Sequence, residues 1–235
     1  MKRITAIILI GLMAAASLAA CGQQASTQAT EAAIATEASG EEAISGGYTA
    51  PASPVVTDEV KTLLSKATEG QDGVGYTPVA LLGTQVVAGT NYLILCKTAP
   101  VTADAQSTYA LVTVYEDLNG NAQITEVQQS TAEAPVTAED GSTLSGGYTE
   151  PETPVVTDES KSAMSKATEG LDGASYEAKA LLGTQVVAGT NYKLLCTVTP
   201  VTENPVSEYA VVTVYEDLNG SAEISETVKF SAAQN

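Results

Sequence analysis

Apolar positions along the chain fall into two stretches with the same rhythm. After Pro54, the residues Val60, Leu63, Leu64 and Ala67 recur at i, i+3, i+4 and i+7, one stripe of an α-helix. Thr57 is placed to cap its start, Asp58 and Glu59 sit in the first turn where the helix dipole favours acids, and Gly70 stops it. Strand chemistry follows. Runs rich in Val, Leu, Ile, Tyr and Thr cover Tyr76–Val87, Thr90–Lys97, Tyr109–Glu116 and Gln123–Gln128, broken at Gly89 and at Asn119-Gly120. They predict four antiparallel strands joined by hairpins, with Asn-Gly favouring a type I′ turn.

The same pattern then returns. Ser45-Gly46-Gly47-Tyr48-Thr49 recurs at Ser145–Thr149, and the offset of 100 residues holds without a gap to the end. The run from Ala80 to Tyr92 repeats unchanged at Ala180–Tyr192, and Val112–Gly120 repeats at Val212–Gly220. A unit of roughly 85 residues is too long for a stacked solenoid repeat, so each copy is expected to fold as its own domain. Differences between the copies point to a buried face. Leu93 and Lys97 become Lys193 and Thr197 while Tyr92 and Cys96 persist, and alternation then turns Tyr92, Ile94 and Cys96 inward. The expected class is α+β: two tandem domains, 45–130 and 145–231, each with one helix across a four- to five-stranded antiparallel sheet, joined by a linker over 131–144.

Ahead of the repeats the chemistry changes. Lys2 and Arg3 precede an apolar stretch from Ile4 to Ala16, then Leu18-Ala19-Ala20-Cys21-Gly22. A basic start, an apolar middle and a box ending in Cys resemble a bacterial lipoprotein signal peptide. That resemblance implies removal of residues 1–20, a diacylglyceryl group on Cys21, and a cell-membrane protein whose body lies on the extracytoplasmic face. The competing reading is an uncleaved membrane anchor, which leaves the body on the same side. Residues 21–44, rich in Gln, Ala, Ser, Thr and Glu, read as a disordered tether.

Charge and residue inventory then narrow the function. The net charge is −18, so phosphate backbones are repelled and no nucleic-acid partner is expected. The chain has no His, which removes His-based triads, dyads and metal sites. An enzyme, a cofactor, a metal and a small-molecule substrate are accordingly not expected. Asp117, Asn119 and Asn121 imitate the start of a calcium loop, but Ala122 and Gln128 stand where Gly and a bidentate Glu are needed. Cys96 and Cys196, one per copy, read as small buried hydrophobes.

One constellation remains. A Gly-Gly pair before the helix, Gln85-Val86-Val87-Ala88-Gly89 continuing into Thr90-Asn91-Tyr92, and a later hairpin at Leu118-Asn119-Gly120 follow one another in the order seen in cystatins. The run from Gln85 to Tyr92 is especially similar to the stefins, the disulfide-free branch. Cystatins inhibit papain-like cysteine peptidases by wedging an N-terminal trunk and two hairpin loops into the active-site cleft. The resemblance implies that Gly46 and Gly47 carry the trunk, Gln85, Val86, Val87, Ala88 and Gly89 the first loop, and Leu118, Asn119 and Gly120 the second. In the second copy the corresponding residues are Gly146 and Gly147; Gln185, Val186, Val187, Ala188 and Gly189; and Leu218, Asn219 and Gly220. Adjacent Val86 and Val87 at a loop tip would expose apolar surface suited to a hydrophobic cleft wall. Asn119 stands where a stefin-like loop has Pro. The alternative is a cell-surface binding module or spacer that offers the same loops to a non-peptidase partner.

Overall fold

The computed structural model describes residues 43–44, 47–71, 73–100, 106–135 and 147–232. In the first copy the elements are β1 (Ala43–Ile44), β2 (Tyr48–Thr49), α1 (Asp58–Ala67), β3 (Val74–Val87), β4 (Gly89–Pro100), β5 (Thr108–Glu116) and β6 (Ala122–Glu133). The second supplies α2 (Asp158–Ala167), β7 (Ala174–Val187), β8 (Gly189–Pro200), β9 (Glu208–Asp217), β10 (Ala222–Lys229) and β11 (Ser231–Ala232).

All pairing is antiparallel, in two sheets ordered β1-β2-β3-β4-β5-β6-β11 and β10-β9-β8-β7. The last strand of the second copy thus closes the edge of the first copy's sheet, Ser231 opposite Gln129. β6 runs on to Glu133, and Ala132 and Ala134 are buried, so the expected linker begins as strand. The Asn-Gly hairpin differs from expectation as well. The Gly120 N–H donates to the Asp117 carbonyl, which makes Leu118 and Asn119 the central turn residues and leaves the left-handed φ of +80° to Gly120 alone. This is the turn-plus-bulge solution rather than type I′, which needs positive φ at both central residues.

The helices form where the pattern places them. Thr57 Oγ1 accepts from the Val60 N–H, and the stripe of Val60, Leu63, Leu64 and Ala67 is buried against Ile94, Cys96, Ala110, Val112 and Val114. The α+β class itself is overturned. Among the described residues strand outweighs helix 55% to 12%, and two ten-residue helices only flank a pair of large antiparallel sheets. The mainly-β character has a packing cause: the sheet face away from each helix is also apolar. Ala80, Leu82, Leu95, Tyr109 and Leu111 of one sheet share a core with Ala180, Leu182, Leu195 and Val211 of the other. Two separate helix-across-sheet domains are therefore replaced by sheet-on-sheet packing with a helix on each outer face.

The two sheets are joined head to tail. Lys97, far from the Ala88 hairpin of its own sheet, pairs with Glu150, and the Lys193 ammonium donates to the Glu133 carbonyl at 2.7 Å. Reciprocally, Tyr48, Leu93 and Thr113 share a cavity with Thr197, Tyr209 and Phe230. The end of each sheet distal to its hairpin tips meets the tip-proximal part of the other, so the two sets of tips point away from one another.

Candidate functional site

Each sheet presents one loop-bearing end. The β3–β4 hairpin closes with Val87 opposite Gly89 and Ala88 at the apex, and the pairing of Thr90 with Glu116 brings the β5–β6 hairpin alongside. On the other flank Thr49 pairs with Thr84, which sets Gly47 beside Gln85: a Cβ on Gly47 would lie 3.5 Å from Gln85 Nε2. Gly47, Gln85–Gly89 and Leu118–Gly120 thus stand in a row along one edge. Gly147, Gln185–Gly189 and Leu218–Gly220 do the same in the second copy, with Thr149 bridging Thr184. Gly46, Gly146 and Cys21 lie outside the described residues, as do the signal segment and all of the tether except the backbone of β1.

The tips are apolar and solvated. Val86 is 85% exposed and Leu118 84%, while Val87 is about half covered; Val186, Leu218 and Val187 match them. Monomeric proteins rarely leave clustered branched side chains in water without a partner for them. The scaffold beneath is firm. Asn91 Nδ2 donates to Gln85 Oε1 at 2.8 Å, and Asn191 to Gln185 identically. The Tyr115 hydroxyl donates to the Ala88 carbonyl at 2.5 Å, and Tyr215 to Ala188 at 2.6 Å. These tyrosines were missed from sequence, although both stand in the repeated run Tyr-Glu-Asp-Leu-Asn-Gly, whose exact return was the available signal.

Gly89 has an internal reason to be glycine. Its φ is +131°, and a Cβ would meet the Glu116 carbonyl at 2.2 Å and the Tyr115 ring at 2.8 Å. Close approach to the neighbouring strand requires the bare backbone here, before any partner is considered.

Asp117 organises the second loop. Its carboxylate accepts from the Asn119 N–H at 2.8 Å, the Asn121 N–H at 2.9 Å and Asn121 Nδ2 at 2.8 Å. The Asn121 side chain, followed by the loop amides, holds this carboxyl below its ordinary range, so it is ionised and closing the turn at neutral pH. Asp217 repeats the arrangement through the Asn219 and Ser221 amides.

The trunk is not free and extended: Ile44 pairs with Tyr48 and Ala43 with Thr49, folding the backbone back on itself.

The remaining chemistry is quiet. Cys96 and Cys196 are fully buried, and desolvation drives both thiols upward, Cys196 to about 12. Neither is a thiolate at neutral pH. Among the described residues no cluster of three or more His, Cys, Asp or Glu could hold a metal, and no helix is long and apolar enough to cross a membrane.

No family model matches the chain, and no match was found among the curated proteins. The reading of the site therefore rests on its own residues.

Proposed function

We propose that this protein is a reversible inhibitor of papain-like cysteine peptidases, held at the outer face of the cell membrane by a lipid on Cys21. One observation supports it most: the exposed Val86–Val87 tip and the exposed Leu118 tip stand side by side at one sheet end, flanked by Gly47. Two blunt apolar tips on stiff hairpins suit a narrow hydrophobic cleft. The loop sequences, not the fold class, carry the likeness to cystatins.

The mechanism is occlusion. Val86 and Val87 would enter the cleft beside the peptidase thiol, Leu118 would press on the adjacent wall, and no scissile bond is offered for turnover. The folded-back trunk would add contact only after β1 peels from β2, which costs part of what docking gains. Because interfaces of about 800 Å² per partner concentrate their energy in a few central apolar residues, the valine tip is the expected centre. The tip sets point apart, so one chain would hold two enzymes without collision.

Titration of an active-site-quantified papain-like enzyme with the chain from residue 22 onward tests this. The expected stoichiometry is two enzymes per chain, falling to one in Val86→Asp/Val87→Asp and to none when Val186→Asp/Val187→Asp is added. Full inhibition by the fourfold variant, or no inhibition of any papain-like enzyme by the parent, rejects the proposal and favours a non-peptidase partner for the same tips. For the anchor, Cys21→Ser should abolish lipid attachment. An unmodified Cys21 in membrane-extracted protein, read by mass spectrometry, overturns it.

A further inference from the structure

The interface between the sheets is built on two copies of one frame, and only one copy is filled. In the second copy the Tyr148 hydroxyl is close enough to Thr213 and Glu226 for both to act on it. Lys193 occupies that frame: its ammonium stands 4.2 Å from the Tyr148 ring centroid, donates to the Glu133 carbonyl at 2.7 Å, and the residue is only 6% exposed. Glu226 and Glu133 both favour its charge against the desolvation that opposes it.

The first copy repeats the frame without the lysine. Tyr48, Thr113 and Glu126 stand around one cavity, but residue 93 is Leu. Where the lysine arm would run there is a partly open cavity of about 390 Å³, lined among others by Tyr48, Leu93, Glu126, Thr197 and Tyr209. Two lining residues, Thr197 and Tyr209, keep their hydroxyls buried behind the wall, where neither has a hydrogen-bond partner among the described residues. Such groups are uncommon in folded proteins. Burial, with Glu177 nearby, raises the Tyr209 hydroxyl to about 12, so it stays protonated at neutral pH. Gln128 Nε2 donates to Glu126 Oε1 at 2.9 Å and leaves the other carboxylate oxygen open. Glu208, at the rim, is already paired with Lys229.

We propose that this cavity binds a primary alkylammonium group carried by a small linear diamine or polyamine, seated on the Tyr48 ring and Glu126 as Lys193 is seated on Tyr148 and Glu226. The methylene chain would lie along Leu93, and the second ammonium would stand in solvent at the open mouth of the cavity. The site is separate from the hairpin tips and does not depend on their function.

The probe is 1,5-diaminopentane, titrated calorimetrically into the chain from residue 22 onward in 150 mM salt, which screens diffuse attraction to the acidic surface. Saturable binding at one site per chain is expected, with a melting temperature that rises with amine concentration. Leu93→Lys supplies the missing ammonium from within and should weaken binding at least tenfold. Glu126 is exposed, so Glu126→Gln leaves the fold intact and should weaken binding at least fivefold. Absence of saturable binding, or a Glu126→Gln variant that binds as well as the parent, overturns the proposal. So does undiminished binding by a Leu93→Lys variant whose circular dichroism matches the parent, since the amine would then sit elsewhere on the surface.

Discussion

Two glycines with positive φ in neighbouring hairpins do different work. Gly89 is pinned by the Glu116 carbonyl and the Tyr115 ring, whereas a Cβ on Gly120 would meet nothing within 4 Å. Gly120→Ala should therefore cost only the left-handed backbone penalty, about 1–2 kcal/mol. Gly89→Ala adds overpacking to strain and should cost about 2–4 kcal/mol while dislodging the Tyr115 hydroxyl from Ala88. Urea denaturation of both variants checks the ranking; equal costs would mean the strand above Gly89 yields freely. The distinction was illegible in the sequence, where both residues appear as turn glycines. Spacing marks where the chain bends, but not which neighbouring strand crowds the bend.

At the scale of elements, the helix and all four strands of each copy were legible, because their periodicities are strong and their caps are the expected ones. The second buried face was read wrongly. Alternation predicts one face inside, and the exchange of Leu93 for Lys193 points to solvent on the other. The contrary signal was present: Ala80-Leu81-Leu82, Ile94-Leu95-Cys96 and Ala110-Leu111-Val112 are unbroken apolar runs, as strands covered on both faces show. Lys193 misleads because it is buried with its charge satisfied. The helices offer a matched test. Leu63 and Ala163 hold the same helical position and both are buried. Leu63→Ala should cost about 2–5 kcal/mol by opening a cavity, and Ala163→Leu about 1–3 kcal/mol by overpacking a fully covered site. If Ala163→Leu stabilises the protein in the same denaturation experiment, the core under α2 is looser than its burial indicates.

For the whole molecule, the shared core between the sheets changes what the duplication means. Each copy alone would expose the face carrying Leu82, Leu95 and Leu111, or Leu182, Leu195 and Val211. Residues 45–135 expressed alone should therefore self-associate, the uncovered face pairing with itself as it pairs with its sister copy, and sedimentation should report a dimer. A monomer melting at the temperature of the full chain would mean the sheet-to-sheet contact contributes little. The order of the two hairpins along each copy was legible, and with it the neighbourhood of Gln85–Gly89 and Leu118–Gly120. The two-ended arrangement was not, since no local pattern encodes the head-to-tail packing of one sheet on another.

The pairing of β11 with β6 also has a consequence in time. Gln128 and Gln129 emerge from the ribosome about a hundred residues before Ser231 and Ala232, their partners. At 5–20 residues per second, synthesis leaves that sheet margin unsatisfied for roughly 5–20 s. In that interval a nascent first copy is a template for any other extended strand, and crowded polysomes bring identical strands near. Glu126 and Glu133, flanking the open stretch with like charge, repel a second identical margin until β11 arrives to seal it.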